Sequence, residues 1–498
     1  MHRALEIQEI LLNIFCYCFK SDLSALARAC QAFKEPALDV LWEELYNLSP
    51  LAQCLPEASH LSTPMLGVRS FLVFVALRLI ANLSPQFYFE RYSFGRLPTP
   101  IEWDILQNYT RRIRFIRSFE GLCRKSIQII SKPPATQPLF PNLCHVQFEY
   151  GLKGAPLLLS PLPSLVSIDL EVDSSRFFHN SLESFAKFPP SLKRLSIRTR
   201  HRTAVDVNSL VHLSRLPALS RFEFSLGETL PDQISPSDIP LCFPNLHDLT
   251  VHCDLLDPIS RLLSLARPDA ITIFSSFFES CPSKDDVSSF FASVKTSGIG
   301  RTIQGLWWGQ KFPFDSATYA PRKPSLVLGL EDLQPCMAFG NLQRIRLDVQ
   351  WRVDLTDSEL LTLASAWPRL EDIYINDQWG WNTLGGITPN GLLQFLQTCQ
   401  SLCRVGLVID TRGFTKVPES PESFGFTLLS HINVIDSRIE AESVPAITAF
   451  LAGILSSSHF SFVAWESGGM KLNPDRKVYI VHWNDVYKRV KDAVRHRS

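Results

Sequence analysis

Apolar and polar positions from residue 140 to residue 434 fall into one recurring motif, apolar-Pro-x-Leu-x-x-Φ-x-Φ, where Φ is apolar. It reads FPNLCHVQF at 140–148, LPSLVSIDL at 162–170, PPSLKRLSI at 189–197, LPALSRFEF at 216–224, FPNLHDLTV at 243–251 and WPRLEDIYI at 367–375. Copies without the proline are FGNLQRIRL (339–347), CQSLCRVGL (399–407) and FTLLSHINV (426–434). Proline closes the preceding loop and cannot join a central ladder, so the pattern predicts that the leucine and the Φ-x-Φ pair alternate in and out as a short strand. The leucines are Leu143, Leu165, Leu192, Leu219, Leu246, Leu342, Leu370, Leu402 and Leu429, at successive spacings of 22, 27, 27, 27, 96, 28, 32 and 27.

Helical stretches such as SLESFAKF (181–188) and DSELLTLASAW (357–367) lie between these strands. Strand, loop and helix at this period predict a leucine-rich-repeat solenoid, whose stacked repeats share one core. An ordinary α/β domain with incidental strands is the alternative, and nine matches at near-constant spacing count against it. The long gap holds candidate strands AITIF (270–274), TIQGLWW (302–308) and SLVLGL (325–330), enough for two or three degenerate repeats, and a Pro-rich loop at 311–324. The expected fold class is therefore α/β: a small N-terminal helical unit followed by an irregular solenoid with a parallel sheet.

On such a solenoid the residues between the Φ positions line the concave face. They begin with His145, Gln147, Ser167, Asp169, Arg194, Ser196, Arg221, Glu223, Asp248 and Thr250. They continue with Arg344, Arg346, Asp372, Tyr374, Arg404, His431 and Asn433. The candidate target-binding residues are Arg194, Arg221, Glu223, Arg344, Arg346, Asp372, Tyr374 and Arg404. A mixed, nearly neutral surface with Arg and Tyr suits a protein partner better than nucleic acid. The most basic run is Arg111, Arg112, Arg114, Arg117, Arg124 and Lys125. Its alternation with Ile113 and Phe115 predicts the solvent face of a first strand rather than a phosphate site. A final helix over 483–495 would bury Trp483, Val486, Tyr487, Val490 and Val494 and cap the solenoid. Trp379 and Trp381 around Gly380 read as core packing between repeats, with a ligand anchor as the alternative.

The N-terminus follows a different period. Over residues 4–19, Ile7, Ile10, Leu11, Ile14, Phe15 and Cys18 make one wide apolar stripe, and Leu5, Leu12, Cys16 and Phe19 a second. A helix this apolar needs burial in two directions. Ser21 or Asp22 can cap a second helix carrying Leu23, Leu26, Ala27, Cys30 and Phe33. Pro36 can open a third, with Leu38, Leu41, Trp42 and Leu45. From the wheel alone, a docking unit and an ordinary helical cap on the next domain fit equally well.

The chain has 498 residues, with 49 Lys+Arg against 49 Asp+Glu. Zero net charge argues against bulk phosphate neutralisation, and normal apolar content argues against disorder. The most apolar run, FLVFVAL at 71–77, is far short of a membrane span, and Glu6 and Glu9 interrupt any signal-peptide core. Twelve cysteines without CxxC pairs read as reduced thiols of a cytoplasmic or nuclear protein, so the sequons at Asn47, Asn82 and Asn108 carry no weight. There is no G-x-S-x-G elbow, H-E-x-x-H helix or phosphate loop, and His247, His252 and Cys253 are too few for a metal site. No catalytic residue, metal or cofactor is expected.

EILLNIF, SDLSALARACQAF and PALDVLWEEL (within residues 2–46) resemble the F-box, with its Leu/Ile-rich first helix, D-L-x-x-L second helix and terminal L-W. The resemblance implies docking to the Skp adaptor of cullin–RING ubiquitin ligases, with Ile10, Leu11, Ile14, Phe15, Leu23, Leu26 and Trp42 at or near that interface. Gln8 stands where F-boxes usually place proline. The segments at 330–349, 355–375 and 388–410, SRIEAESVPAITAFLAGIL, the final W-x-x-V helix and EWDILQNYTRRIRFI (102–116) together resemble the F-box/leucine-rich-repeat proteins abundant in mushroom-forming fungi. The implied organisation is an F-box at 2–46, a helical connector at 47–131, the solenoid at 132–470, and a C-terminal strand and capping helix at 471–498. The implied role is that of a non-enzymatic substrate receptor of an SCF-type ligase, bound to the Skp-type adaptor, a cullin scaffold and an unknown protein target. The alternative is a ligase-independent scaffold with a divergent F-box.

Overall fold

The computed structural model describes residues 7–55, 59–61, 91–93, 96–118, 124–130, 138–148, 162–172, 188–199, 205, 207–227, 241, 243–265, 270–311, 326–417, 428–455, 460–466, 470, 473 and 475–496. Leu5, the apolar run at 71–77, Asn82, the helical stretch at 181–187 and most of the Pro-rich loop lie outside them. The chain forms two compact units: Met1–Ala204 with Leu216–Leu219, and Val205–Arg215 with Ser220–Ser498.

The first unit opens with three helices, α1 (Gln8–Phe15), α2 (Lys20–Ala29) and α3 (Gln31–Glu43). Leu11, Phe15, Leu23 and Ala37 form their shared core, with Leu26, Phe33 and Leu41 packed against it. Two boundaries differ from expectation. α2 begins before Ser21 with no side-chain cap, and Pro36 lies inside α3 rather than opening it. Packing of both flanks onto one core outweighs the hydrogen bond that Pro36 cannot donate.

Parallel strands follow: β1 (Glu44–Leu45), then β4 (Phe115–Ile116), β5 (His145–Phe148), β6 (Ser167–Val172) and β7 (Arg194–Thr199), each paired with the next. The ladder thus starts at residue 44, well before the expected boundary at 132. A short helix α4 (Ser49–Gln53), an antiparallel pair β2 (Ser59–Leu61) and β3 (Arg91–Ser93), a helix α5 (Pro100–Thr110) and a helix α6 (Arg124–Ile130) occupy the connector. Arg112 does not face solvent on a strand. Its side chain is 7% exposed and is held by Glu35 and Asp39 of α3, which fastens the three-helix core to the end of α5.

The second unit contains α7 (Val207–Ser214) and nine further strands in one parallel ladder. These are β8 (Arg221–Ser225), β9 (Asp248–Cys253), β10 (Ile273–Phe278), β11 (Gly305–Gln310), β13 (Arg344–Asp348), β15 (Asp372–Ile375), β16 (Arg404–Gly406), β17 (His431–Asn433) and β18 (Ser461–Val463). β12 (Val327–Leu328) and β14 (Arg352–Val353) form a separate parallel pair. Return helices are α8 (Asp257–Leu265), α9 (Lys284–Thr296), α10 (Asp357–Ala366), α11 (Pro389–Thr398) and α12 (Val444–Ile454). Capping boxes open two of them, Ser283 with Asp286 and Thr356 with Glu359, which answers the orphan N–H groups at each helix start. The fold is α/β and solenoid-like, with a long parallel sheet.

The repeated leucines do not belong to the strands. Each closes a turn two residues before its strand, as where the Leu370 N–H donates to the Trp367 carbonyl at 3.1 Å. All nine are at most 2% exposed. One backbone pattern then recurs: a single carbonyl accepts two successive N–H groups of the next repeat, as the Gln304 carbonyl does from Gln343 and Arg344, both at 2.8 Å. The same pattern holds for β10 and β11, where buried Ile271 and Ile303 take the leucine position. These two strands fill the 96-residue gap, while the SLVLGL segment leaves the main ladder as β12.

The last helix, α13 (Arg476–Arg495), buries Trp483, Val486, Val490 and Val494. Tyr487 is half-buried and stacks on Phe462 of β18, and the Trp483 indole donates to the Ser437 carbonyl at 2.8 Å. The C-terminal strand lies at 461–463, ahead of the expected 471 boundary.

Candidate functional site

Two surfaces carry the residues singled out in the sequence. The first is the outer edge of α1. The stripe that looked single on the wheel divides: Leu11 and Phe15 are 2% and 3% exposed, whereas Ile7, Ile10 and Ile14 remain 46%, 36% and 46% exposed. Tyr17 and Phe19 extend this apolar edge beyond the helix end. Leu23 is interior, Leu26 is half-buried on the same core, and Trp42 stacks on Tyr109 at 4.5 Å between ring centroids. Leu11, Phe15 and Leu23 therefore cannot meet a partner without opening their own core. Ile10 and Ile14 are free to do so.

The second surface is the open sheet face of the second unit. Register places Arg344, Asp372, Arg404 and His431 side by side on consecutive strands, and Trp307, Arg346, Tyr374 and Gly406 in the next row. Arg221 and Glu223 share the face but stand on β8, with β9, β10 and β11 intervening. Arg194, exposed on β7, belongs to the first unit.

Most charges here are internally matched. Arg404 holds Asp372 through both nitrogens, so Asp372 is buried rather than lining the face as expected. Arg346 donates to Asp348 at 3.0 Å and to Asp377 at 2.8 Å, while its guanidinium lies 5.7 Å from the Tyr374 ring. Burial, reinforced by the Asp377 charge, raises the Asp348 carboxyl to about 7 despite Arg346. Burial also pushes the Tyr374 hydroxyl up to about 12. His252 meets Glu223 at 3.0 Å and stacks on Phe277, whereas Cys253 points into the core on the opposite face.

Several residues of this face escaped the motif scan. Ile273, Phe277 and Trp307 sit on the two strands that lack the Pro-x-Leu signal, while Asp348 closes β13 just past the motif and Asp377 follows β15. Trp379 and Trp381 are buried, as core packing requires; Asp436 accepts the Trp381 and Asn382 N–H groups at 2.8 and 2.9 Å. Among the described residues no group of His, Cys, Asp or Glu could hold a metal ion, and no helix is long and apolar enough to cross a membrane.

No protein-family model matches the sequence, and no curated relative matches it. A crystal structure of the Rad7 and Elc1 complex in yeast is similar over 71% of this chain and 91% of that chain, at 14% sequence identity and a TM-score of 0.30. A likeness that slight carries no argument about function.

Proposed function

We propose that this chain is a non-enzymatic target receptor of an SCF-type cullin–RING ubiquitin ligase. The three N-terminal helices would dock the Skp-type adaptor, and through it the cullin, while the open sheet face of the second unit would hold a protein target. One observation supports this most: Ile7, Ile10 and Ile14 form an unpartnered apolar edge on a helix whose opposite side is already committed to a core. Three isoleucines on one edge, each less than half exposed, would gain about 1 kcal/mol each on burial of the rest, which favours a protein partner there. The F-box resemblance of residues 2–46 names that partner. Such a receptor raises the target's effective concentration beside the ligase active site and contributes no bond chemistry itself.

The test is a pull-down of the full chain beside an Ile10→Asp/Ile14→Asp variant, which alters exposed positions only. Wild type is expected to recover adaptor and cullin, and the variant to lose both while keeping its circular dichroism. Failure of wild type to recover them rejects the ligase reading, and a protein target recovered without adaptor would indicate a ligase-independent scaffold. Equal recovery by both proteins rejects the interface.

A further inference from the structure

Among the described residues, Arg344 is an arginine of the second unit's sheet face that its neighbours do not pair. Arg221 approaches Asp248, Arg346 is shared by Asp348 and Asp377, and Arg404 is taken by Asp372. Arg344, in the row between Gly305 and Asp372, forms no side-chain hydrogen bond or ion pair among the described residues, and its buried Nε has no acceptor. A buried guanidinium nitrogen without an acceptor is costly, and native structures rarely leave one without a use.

The surroundings are largely apolar. The Arg344 guanidinium lies 5.5 Å from the Trp307 ring. Gly305 and Gly309 flank Trp307 on the same face of β11, so that strand carries no other side chain on either side of the indole. Ile273 and Phe277, both half-buried on the adjacent strand, continue the apolar floor. One unpaired planar cation thus stands beside an apolar, aromatic shelf.

We propose that Arg344 on Trp307 is the docking point for a carboxylate, supplied by an Asp or Glu that adjoins an apolar side chain in a segment of the protein target. The carboxylate takes the vacant guanidinium donors, and the adjoining side chain lies on Trp307, Ile273 and Phe277. Charge complementarity selects a monoanion. A single free guanidinium balances one negative charge, whereas a phosphate would bring nearly two against Asp372 on the neighbouring strand. This inference rests on the reading of the sheet face as a target surface.

The full chain would be panned against a phage-displayed library of random dodecapeptides, and enriched sequences resynthesised for affinity measurement. Enriched peptides are expected to share an acid next to an apolar or aromatic residue. Arg344→Gln and Trp307→Ala should each weaken them, the former by about 10- to 100-fold, as expected for loss of a hydrogen bond to a charged group. Replacing the peptide acid by its amide should cost the wild-type chain a similar factor, a comparison that needs no altered protein. Absence of any enriched peptide, enrichment without a shared acid, or equal binding of acid and amide overturns the proposal. Tighter binding when phosphoserine replaces the acid overturns it as well. Adaptor recovery depends on α1, so loss of adaptor binding with intact peptide binding rejects the ligase reading alone. The converse rejects the carboxylate site alone.

Discussion

The outer edge of α1 and the sheet face of the second unit are both open, yet they differ in what they leave unfinished. The helix edge is apolar and has no polar group to satisfy, so contact with any flat apolar partner gains free energy by burial alone. The sheet face is a lattice of arginines and carboxylates that answer one another, with Arg344 as its unmatched member. Burying matched pairs gains little, because desolvation offsets their attraction. On the proposed reading, the first surface would supply affinity toward the adaptor and the second selectivity among targets.

The largest expected effect separates neighbours on α1. Leu11→Ala should cost about 2–5 kcal/mol in a denaturant melt of the full chain, since it empties a core site. Ile10→Ala should stay within about 1 kcal/mol. Equal losses would mean that the two edges are not distinct and would remove the basis for a docking edge. A middle-sized effect sharpens the other surface. A Cβ on Gly406 would overlap the Tyr374 ring, so Gly406→Ala should destabilise by about 1–3 kcal/mol in the same assay, and a neutral result would mean the ring does not rest on the sheet.

A third test is a pH dependence confined to the sheet face. Asp348 has a folded pKa near 7, above its unfolded value of about 4, so the folded state favours its protonated form. Its contribution is fully present below the unfolded value and is lost as pH rises through 7. Wild type should therefore lose stability relative to Asp348→Asn between about pH 4 and pH 7. Parallel melting curves across that range would show instead that Arg346 fully neutralises the carboxylate. The helix edge, carrying no titrating group among its isoleucines, should show no such slope.

Much of this was readable from the amino acids in order. The motif leucines located nine strands of the ladder, from Leu143 to Leu429, because a turn followed by a strand is a local event. The motif itself does not mark β4, β10 and β11, since Ile113, Ile271 and Ile303 fill the leucine position without the proline signal; the apolar stretches at 270–274 and 302–308 marked the latter two as degenerate repeats. The three N-terminal helices were legible from period, but their ends were not: Pro36 lies mid-helix because packing on both sides overrides its local cost.

Spacing by itself determined that the chain repeats and which leucines enter the core. Only the folded chain decided which half of an apolar stripe stays open. That choice depends on where α2 and α3 pack, and a helical wheel contains no neighbours. Only the fold, likewise, decided which charges are spent. Arg404 and Asp372 are 32 residues apart, Arg346 and Asp377 are 31 apart, and a pairing of that kind exists only once parallel strands bring one repeat beside the next.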